Sequence, residues 1–394
     1  MKRKINLLCL LGCLAFTNVI AQQTMPEVLK AVEQNNKTLA TQQQYLETQK
    51  KQFRTGLNPT NPVIDYDYLK GSPANAGNQT DITLTQAFDF PTAYGRKRKL
   101  ANEQTLQAET ELTVQRQQIL LEAQLTALDL IYHNRARQEL SRRIQRVEKL
   151  ANNYQKQLDK GNISILDVNK ARLQLIQIQQ RDRQLAGEQL RLAQKLTELT
   201  GGQPIAVADT IYPVAQVPPN FEVLDSLIEA NDPIVKLYEQ QKKVSERQVS
   251  VTKALTLPKL ETGYHYQSIL GQTYKGLHLG VSIPLWENRN MVAAQQAVVG
   301  WRESQLQEHR LEHRSLNRQQ YSQYENYQAS LEAYRRVFTS ANNTPLLEKA
   351  LRLGEISTAT FFLELTYLYD SVDDFLITER DYHLTLARLY KFRL

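Results

Sequence analysis

The feature that most constrains the fold is an internal repeat, in which a glycine is followed three residues later by a serine at two places 193 residues apart. The first copy stands in DKGNISILDVNKAR (159–172) and the second in RLGEISTATFFLEL (352–365). The same separation joins three further pairs: Pro91 with Pro284, Arg96 with Arg289, and Ala101 with Ala294. A repeat of this kind indicates two copies of one structural unit rather than a series of unrelated domains.

The repeat divides the chain into four regions. Residues 1–21 form an N-terminal segment, 22–200 the first repeat, 201–220 a proline-rich linker, and 221–394 the second repeat. Each repeat predicts a first helix (25–54 and 221–254), two strands, a long helix, a glycine turn and a return helix. The strands are expected at about 61–70, 79–89, 259–269 and 275–284, and the turns at about 159–164 and 352–357.

The long helices are predicted to begin at prolines. Pro91 and Pro284 mark the entry from strand to helix, because the N–H that proline lacks has no partner in the first helical turn. The 70 residues from Pro91 to Gly161 are enough for a helix of about 105 Å. An apolar seam with alternating spacings of three and four residues indicates lateral packing against similar helices. The seam comprises Ile144, Val147, Ala151, Tyr154 and Leu158.

The glycine turns are predicted to be hairpin tips at which the chain reverses. Gly161 and Gly354 can adopt the left-handed conformation that ends a helix. Ser164 and Ser357 then cap the next helix by accepting a backbone N–H, and Asp167 adds a capping-box-like carboxylate. The first and return helices together match the long helix in length, which favours a reversal over a kink within one helix.

The four strand segments are apolar on one face and polar on the other. The apolar set of KGLHLGVSIP (275–284) is Leu277, Leu279, Val281 and Ile283. The other segments present Ile64, Tyr66 and Tyr68; Ile82 and Leu84; and Tyr264 and Tyr266. Such alternation over about ten residues is typical of transmembrane β-barrels. An amphipathic hairpin over a soluble core is the alternative, but the helices show no such core.

Four strands cannot close a barrel by themselves, since the smallest membrane barrels have about eight. An open sheet edge in lipid would leave backbone groups without partners, so the chain is expected to assemble with copies of itself. Eight strands from two copies would enclose a space filled by side chains. Three copies supply twelve strands, which makes a trimer the smallest assembly with an open duct.

The N-terminal segment reads as a secretory signal. It has a basic start, an apolar run over 5–20 and a small-residue end, which predicts cleavage after Ala21. A membrane anchor is the alternative, but the run is shorter than the ~20 residues of a spanning helix. LLGC (10–13) also resembles a lipoprotein box that would acylate Cys13. Both cysteines fall in this segment, so a cleaved chain has neither disulfides nor thiolate metal sites.

These features together resemble the TolC-type outer-membrane factor family. The residues that carry the resemblance are FDFPTAYGRKRK and VSIPLWENRN at the strand-to-helix entries, and KGNISILDV and LGEIS at the tips. The resemblance implies a mainly α fold with a small β part, in which each chain forms one third of a trimeric, 12-stranded outer-membrane β-barrel. An α-helical barrel continues it across the periplasm of a Gram-negative-type bacterium.

The resemblance also implies a function. Such ducts conduct drugs, metal cations or proteins passively, and work with a periplasmic adaptor (membrane fusion protein) and an inner-membrane pump. The compact length and short linker are most similar to the branch paired with resistance-nodulation-division (RND) pumps for heavy-metal cations. A periplasmic coiled-coil adaptor or scaffold without a membrane barrel is the alternative.

The tips are the predicted docking sites for the adaptor. A turn alone would explain the glycines and serines, but apolar Leu353 and Ile356 at a tip favour contact with a partner. The docking residues are expected to be Lys160, Gly161, Asn162, Ile163 and Ser164 in the first tip, and Arg352, Leu353, Gly354, Glu355, Ile356 and Ser357 in the second.

Carboxylates near the tips are candidates for the constriction of the pore, because carboxylates around a narrow pore favour cations. The candidates are Asp167, Asp370, Asp373 and Asp374. Helix capping is the other role open to Asp167. Thr360 stands at the corresponding position of the second repeat, so a ring contributed equally by both tips is not expected.

Two further groups of residues are open to more than one interpretation. GRKRK (95–99) is predicted either to lie near lipid phosphates or to be a solvated run of charge. His309 and His313 share a helix face, but HRLEH lacks the order of zinc proteases. We therefore expect no catalytic, cofactor or metal site, and no nucleic-acid partner for an exported chain.

Overall fold

The computed structural model describes residues 24–340 and 344–394. The predicted signal segment, its cleavage site after Ala21 and Cys13 lie outside the described residues. In the described part, long helices extend from a four-stranded antiparallel sheet. None of these helices has an apolar stretch long enough to cross a bilayer.

The first repeat contains four helices and two strands. They are α1 (Met25–Asn35), α2 (Lys37–Phe53), β1 (Val63–Leu69), β2 (Gln79–Phe88), α3 (Thr92–Asp159) and α4 (Ile165–Leu199). The 68-residue α3 is about 100 Å long.

The second repeat has the same order of elements, with one more helix. They are α5 (Phe221–Asn231), α6 (Pro233–Leu255), β3 (Lys259–Ile269), β4 (Gln272–Ser282), α7 (Met291–Ser340), α8 (Thr344–Leu353) and α9 (Thr358–Leu389). The two repeats therefore meet in one sheet, with strand order β1-β2-β3-β4.

The single first helix expected in each repeat is wrong, because both are divided into two. Asn36 and Asp232 have extended backbones, with ψ 121° in each case. The side chain of Asn36 accepts the N–H of Leu39, and that of Asp232 accepts the N–H of Ile234. Each residue thus caps the second helix of its pair.

The two prolines differ in position. Pro91 is the N-cap residue of α3, but Pro284 lies in a loop and α7 begins only at Met291. The expectation that Pro284 starts a helix is therefore wrong. The Asn288 side chain donates to the carbonyl of Leu255 and holds this loop against the end of α6, and Asn290 has a left-handed backbone, φ 63°.

The helices pack laterally through separate apolar clusters rather than one core. One cluster joins α1, α3 and α4 through residues such as Val32, Leu120 and Leu196. A matching cluster joins α5, α7 and α9 through Leu224, Tyr324 and Leu389. The same helices of each repeat therefore bury each other in the same way, as duplication predicts. Near the tip, the α3 seam packs on α4, with Val147, Ala151 and Tyr154 buried against Val168, Ala171 and Ile178.

Asp232 also links three parts of the second repeat. Its fully buried carboxylate lies 3.2 Å from Nε2 of His313 on α7 and 3.1 Å from Nζ of Lys391, beyond α9. Burial would raise the pKa of Asp232, but the hydrogen bond with His313, the charge of Lys391 and the N–H of Ile234 outweigh it and lower the pKa to about 2. The ionised carboxylate is therefore the stable form in the folded chain.

Replacing Asp232 with asparagine is expected to destabilise the chain by about 1–3 kcal/mol, because Lys391 and His313 lose a charged partner. Since the folded pKa of about 2 lies below the ordinary value, the stabilisation is complete above about pH 4 and is lost as pH falls towards 2. Chemical unfolding of the wild type and Asp232→Asn between pH 7 and 2 measures this effect. The exposed Asp374→Asn is the control, and a Asp232→Asn variant as stable as this control would contradict the role of the carboxylate.

Candidate functional site

One face of the sheet is apolar and exposed. Because directly paired residues share a face, the row Ile64, Leu84, Tyr264, Leu277 runs across all four strands. The side chains are open to solvent, and Leu277 and Leu279 are 84% and 79% exposed. A patch of this size on a single chain indicates a surface that something else covers.

The opposite face is polar. Asp65, Thr83 and His265 form one row, in which the Thr83 hydroxyl lies 2.8 Å from Nδ1 of His265. Asp67, Asp81 and Gln267 form the next row. The sheet therefore has one apolar and one polar face.

The sheet is also open at both sides. In the described residues, β1 pairs only with β2, and β4 pairs only with β3. Each outer strand thus has a row of backbone N–H and C=O groups available to a further strand.

The first tip has the geometry expected for a helix reversal. Gly161 has φ 75°, and its N–H donates to the carbonyl of Leu158 while the N–H of Asn162 donates to Gln157. This pair of bonds is a Schellman motif. Ser164 then caps α4 by accepting the N–H of Leu166 at 3.1 Å.

The second tip repeats this arrangement. Gly354 has φ 77°, and the N–H groups of Gly354 and Glu355 donate to Leu351 and Ala350. Ser357 caps α9 by accepting the N–H of Thr360 at 3.1 Å. The two halves thus reverse direction by the same backbone device.

The apolar residues of the tips divide into exposed and packed ones. Leu353 is 60% exposed, whereas Ile356 is half-buried against the Phe361 cluster, so Leu353 is the more open of these two apolar tip residues. Conversely, Leu166 is 65% exposed and Ile165 is also exposed. Sequence reasoning missed these two, although their signal was present: both follow the cap Ser164 in a first helical turn that has no turn before it to cover them.

The two tips lie side by side around one cleft of about 910 Å³. Ile163 and Asp167 line it from the first tip, and Arg352, Leu353, Gly354 and Ser357 from the second. The remaining tip residues named from the sequence, Lys160, Asn162 and Glu355, are exposed.

Polar contacts of α3 hold the second tip against the first. The Tyr154 hydroxyl lies 2.9 Å from that of Thr358, and burial raises the pKa of Tyr154, which keeps the phenol neutral. Arg146 donates to Tyr369 at 2.8 Å and pairs with Glu348 at 3.0 Å. The two tips therefore form one surface within a single chain.

The four candidate carboxylates do not come together in one chain. Asp373 pairs with Arg143 at 2.9 Å and Arg181 at 3.3 Å. Asp370 and Asp374 are exposed on α9, and Asp167 lies 3.5 Å from Lys170 at the start of α4.

The α3 helix gives the distance between these carboxylates. Asp373 contacts α3 at Arg143, whereas Val168, next to Asp167, contacts it at Tyr154. Eleven residues of α3 separate the two contacts, or about 16 Å. Asp167 and Asp373 therefore lie at two different levels along α3, and the constriction by these carboxylates stays a prediction.

Two of the four charges in the basic run GRKRK have protein partners, and the other two are exposed. Arg96 donates to the carbonyl of Ser250 at 2.9 Å, and Lys97 pairs with Asp89 at 2.7 Å. Arg98 and Lys99 are exposed. The first two charges therefore fasten the sheet-to-helix junction, and the last two face outwards.

The side chains of His309 and His313 pack against neighbouring residues of the same repeat. His313 lies against Asp232, and His309 stacks on Tyr238 with ring centroids 4.3 Å apart. Burial lowers the pKa of His309, so its ring is neutral at pH 7. The pair thus belongs to the packing of α6 on α7.

No family model and no curated protein match this chain. Solved structures do match it over nearly its whole length. The outer-membrane channel OprN has a TM-score of 0.77 at 14% identity, with 93% of this chain and 89% of that chain covered. CusC, described for its transmembrane channel formation, has a TM-score of 0.72 at 14% identity, with 95% and 92% covered. The Campylobacter jejuni outer membrane channel CmeC has a TM-score of 0.70 at 14% identity, with 93% and 85% covered. The chain therefore has the fold of these outer-membrane channels.

Replacing Gly161 with alanine is expected to destabilise the chain by about 1 kcal/mol, because the left-handed backbone disfavours a Cβ. A Cβ at Gly161 would contact nothing within 4 Å, so the cost would come from the backbone alone. Gly187→Ala is the matched control, since Gly187 lies inside α4 with equally open space and alanine there should stabilise by about 0.5–1 kcal/mol. Denaturant unfolding that gave both variants the same sign would contradict a left-handed tip.

Proposed function

We propose that this chain belongs to the TolC-type outer-membrane factor family and is the passive outer-membrane exit duct of a tripartite export system. The observation that carries the proposal is the open sheet, which has one exposed apolar face and two edges left unpaired by the described residues, at the end of a helix about 100 Å long. The shared fold with solved outer-membrane channels supports it.

In a membrane, the sheet of a single chain would be incomplete. Backbone groups at the edges of β1 and β4 would have no partner in the hydrocarbon layer, where each unsatisfied group costs several kcal/mol. Pairing β4 of one copy with β1 of the next removes both edges. Three copies form a 12-stranded barrel, with the face of Leu277 and Leu279 towards lipid and the face of Asp65 and His265 towards the duct.

The helical part then extends the duct across the periplasm. Its helices carry narrow apolar seams and polar faces, so they pack sideways against copies of themselves. A signal segment at 1–21 would direct the chain to this compartment. The duct itself performs no reaction, and an inner-membrane pump of the RND type supplies the energy.

The two tips, at the end farthest from the sheet, are the docking surface for the periplasmic adaptor. Leu353, Ile165 and Leu166 are apolar side chains exposed there, which indicates a contact surface rather than a simple turn. The cleft between the tips in one chain would accept a side chain or loop of the adaptor. Metal cations and drugs are the proposed cargo, and exposed Asp370 and Asp374 are the carboxylates available to line the passage.

Leu277→Arg is expected to prevent assembly, because arginine on the lipid face costs roughly 2–4 kcal/mol near the bilayer centre. The wild type in detergent should be a trimer that conducts ions in a planar bilayer. The amount of this trimer in the outer-membrane fraction should fall at least tenfold in Leu277→Arg.

The matched control is His278→Arg, which places the same charge on the opposite face of the same strand. It should leave the amount of trimer unchanged. A wild-type chain that is a well-folded, non-conducting monomer would refute the duct. Equal loss in both variants would show that β4 does not separate lipid from a polar interior.

Leu353→Asp is expected to abolish export while leaving the trimer intact, because it places a charge on an exposed apolar contact. Cells that carry the variant in place of the wild-type gene should accumulate a fluorescent efflux dye to the same extent as cells without the gene. In a metal-tolerance assay, both strains should stop growing at the same metal concentration. Thr360→Asp, on the exposed side of the same tip, is the control for added charge. Normal export by Leu353→Asp would show that Leu353 is not part of the docking surface.

A further inference from the structure

The basic run GRKRK (95–99), which follows β2, contributes an arginine to a cleft that the duct function does not explain. Arg98 is one of its two exposed charges, and it lines a cleft of about 550 Å³ between the end of α2 and the start of α3. The other lining residues are Arg54, Leu57, Asn58, Ala101, Asn102 and Thr105. We propose that this cleft binds the phosphate of an anionic lipid headgroup at the periplasmic surface of the outer membrane. The proposal rests on the proposed function, because it requires the sheet to lie in the membrane.

The lining has the chemistry of an anion site. Arg54 and Arg98 carry two guanidinium groups, which bind phosphate oxygens in pairs, and Asn58 and Asn102 add amide donors. None of the seven described residues that line the cleft is a carboxylate. Within residues 24–340 and 344–394, neither guanidinium has an acidic partner, unlike Arg96 and Lys97 of the same run, which have protein partners.

The nearby acids cannot neutralise this charge because they are already engaged. Asp89 pairs with Lys97 at 2.7 Å, and Glu109 pairs with Lys50 at 3.0 Å. Glu103 accepts a hydrogen bond from Gln240 and pairs with Arg247 at 3.3 Å. The two positive charges of the cleft therefore lack a counterion among the described side chains.

The position of the cleft matches the level of the headgroups. Arg54 follows α2 directly and β1 begins at Val63, while β2 ends at Phe88 and α3 begins at Thr92. Arg98 is thus about 9 Å along α3 from its start. The Cα–Cβ bonds of a helix tilt towards its N-terminus, so Arg98 leans back towards the sheet.

A second feature marks the same level. Trp286 follows β4 at this end of the sheet and is 80% exposed. Exposed tryptophan is typical of the boundary between hydrocarbon and headgroups. The end of the apolar face, the exposed tryptophan and the cleft lined by donors therefore lie at the same end of the sheet, where the helices meet it.

The experiment measures lipid retained by the full-length trimer. The purified wild type is exchanged into mixed micelles that contain either phosphatidylglycerol or phosphatidylcholine, and bound lipid per trimer is counted by native mass spectrometry. The wild type should retain phosphatidylglycerol about tenfold better than phosphatidylcholine, since each arginine near an anionic headgroup adds severalfold to binding. Equal retention of the two lipids by the wild-type trimer would overturn the site without any variant.

The double variant Arg54→Gln, Arg98→Gln should lose this preference. Lys99→Gln is the matched control, because Lys99 is the exposed neighbour in the same run that does not line the cleft, and Arg183→Gln on α4 is a remote control. Both controls should keep the preference. Loss of preference in Lys99→Gln to the same degree would show diffuse attraction and overturn the cleft.

Two further results would also overturn the proposal. If inorganic phosphate alone raises the melting temperature as much as phosphatidylglycerol does, the cleft is a site for a free anion. If the double variant no longer forms trimers, the arginines contact the next copy of the chain instead of lipid. Conductance is recorded on the same samples, so a conducting trimer without lipid preference removes this inference alone, whereas a non-conducting monomer removes the duct.

Discussion

The structure depends on the need of backbone groups for partners. The sheet joins the two repeats through β2 and β3, yet β1 and β4 each keep one side unpaired in the described chain. In water such an edge is a liability, and in lipid it is not viable. The apolar face adds a second demand, since it is also uncovered. In the proposed duct, closure by further copies would meet the first demand and insertion in lipid would meet the second.

The helices follow a different rule. Each is too polar on two sides to lie inside a globular core, so each buries only a seam, and the chain contains several small clusters in place of a single core. Each pair of short helices is joined by one residue that caps the second helix. Asn36 does so in the first repeat and Asp232 in the second. The ionised carboxylate of Asp232 also contacts His313 and Lys391.

Local patterns in the sequence were enough to predict part of this. Gly161 with Ser164, and Gly354 with Ser357, predicted reversals because each motif contains its own backbone chemistry. The alternation of apolar and polar residues around Leu277 and Leu279 predicted a strand, because it too is a local pattern. The break at Asn36, the loop after Pro284 and the packing of Ile356 involve contacts with distant elements, which no local pattern contains. The Asn36 side chain donates to the carbonyl of Leu199, the Asn288 side chain donates to that of Leu255, and Ile356 packs against a cluster that Leu150 of α3 also joins.

The carboxylates show why residue type and proximity in sequence do not define a site. Asp370, Asp373 and Asp374 lie within two turns of α9, but Asp373 faces Arg143 and Arg181 whereas its neighbours face outwards. Residues four apart lie on one face of a helix, whereas the ion pairs of Asp373 direct it towards α3 and α4. Asp370 and Asp374 are four apart and remain together on one exposed face of α9. A passage lined by carboxylates would therefore use this pair, and the ion pair of Asp373 would fix the helix that presents them.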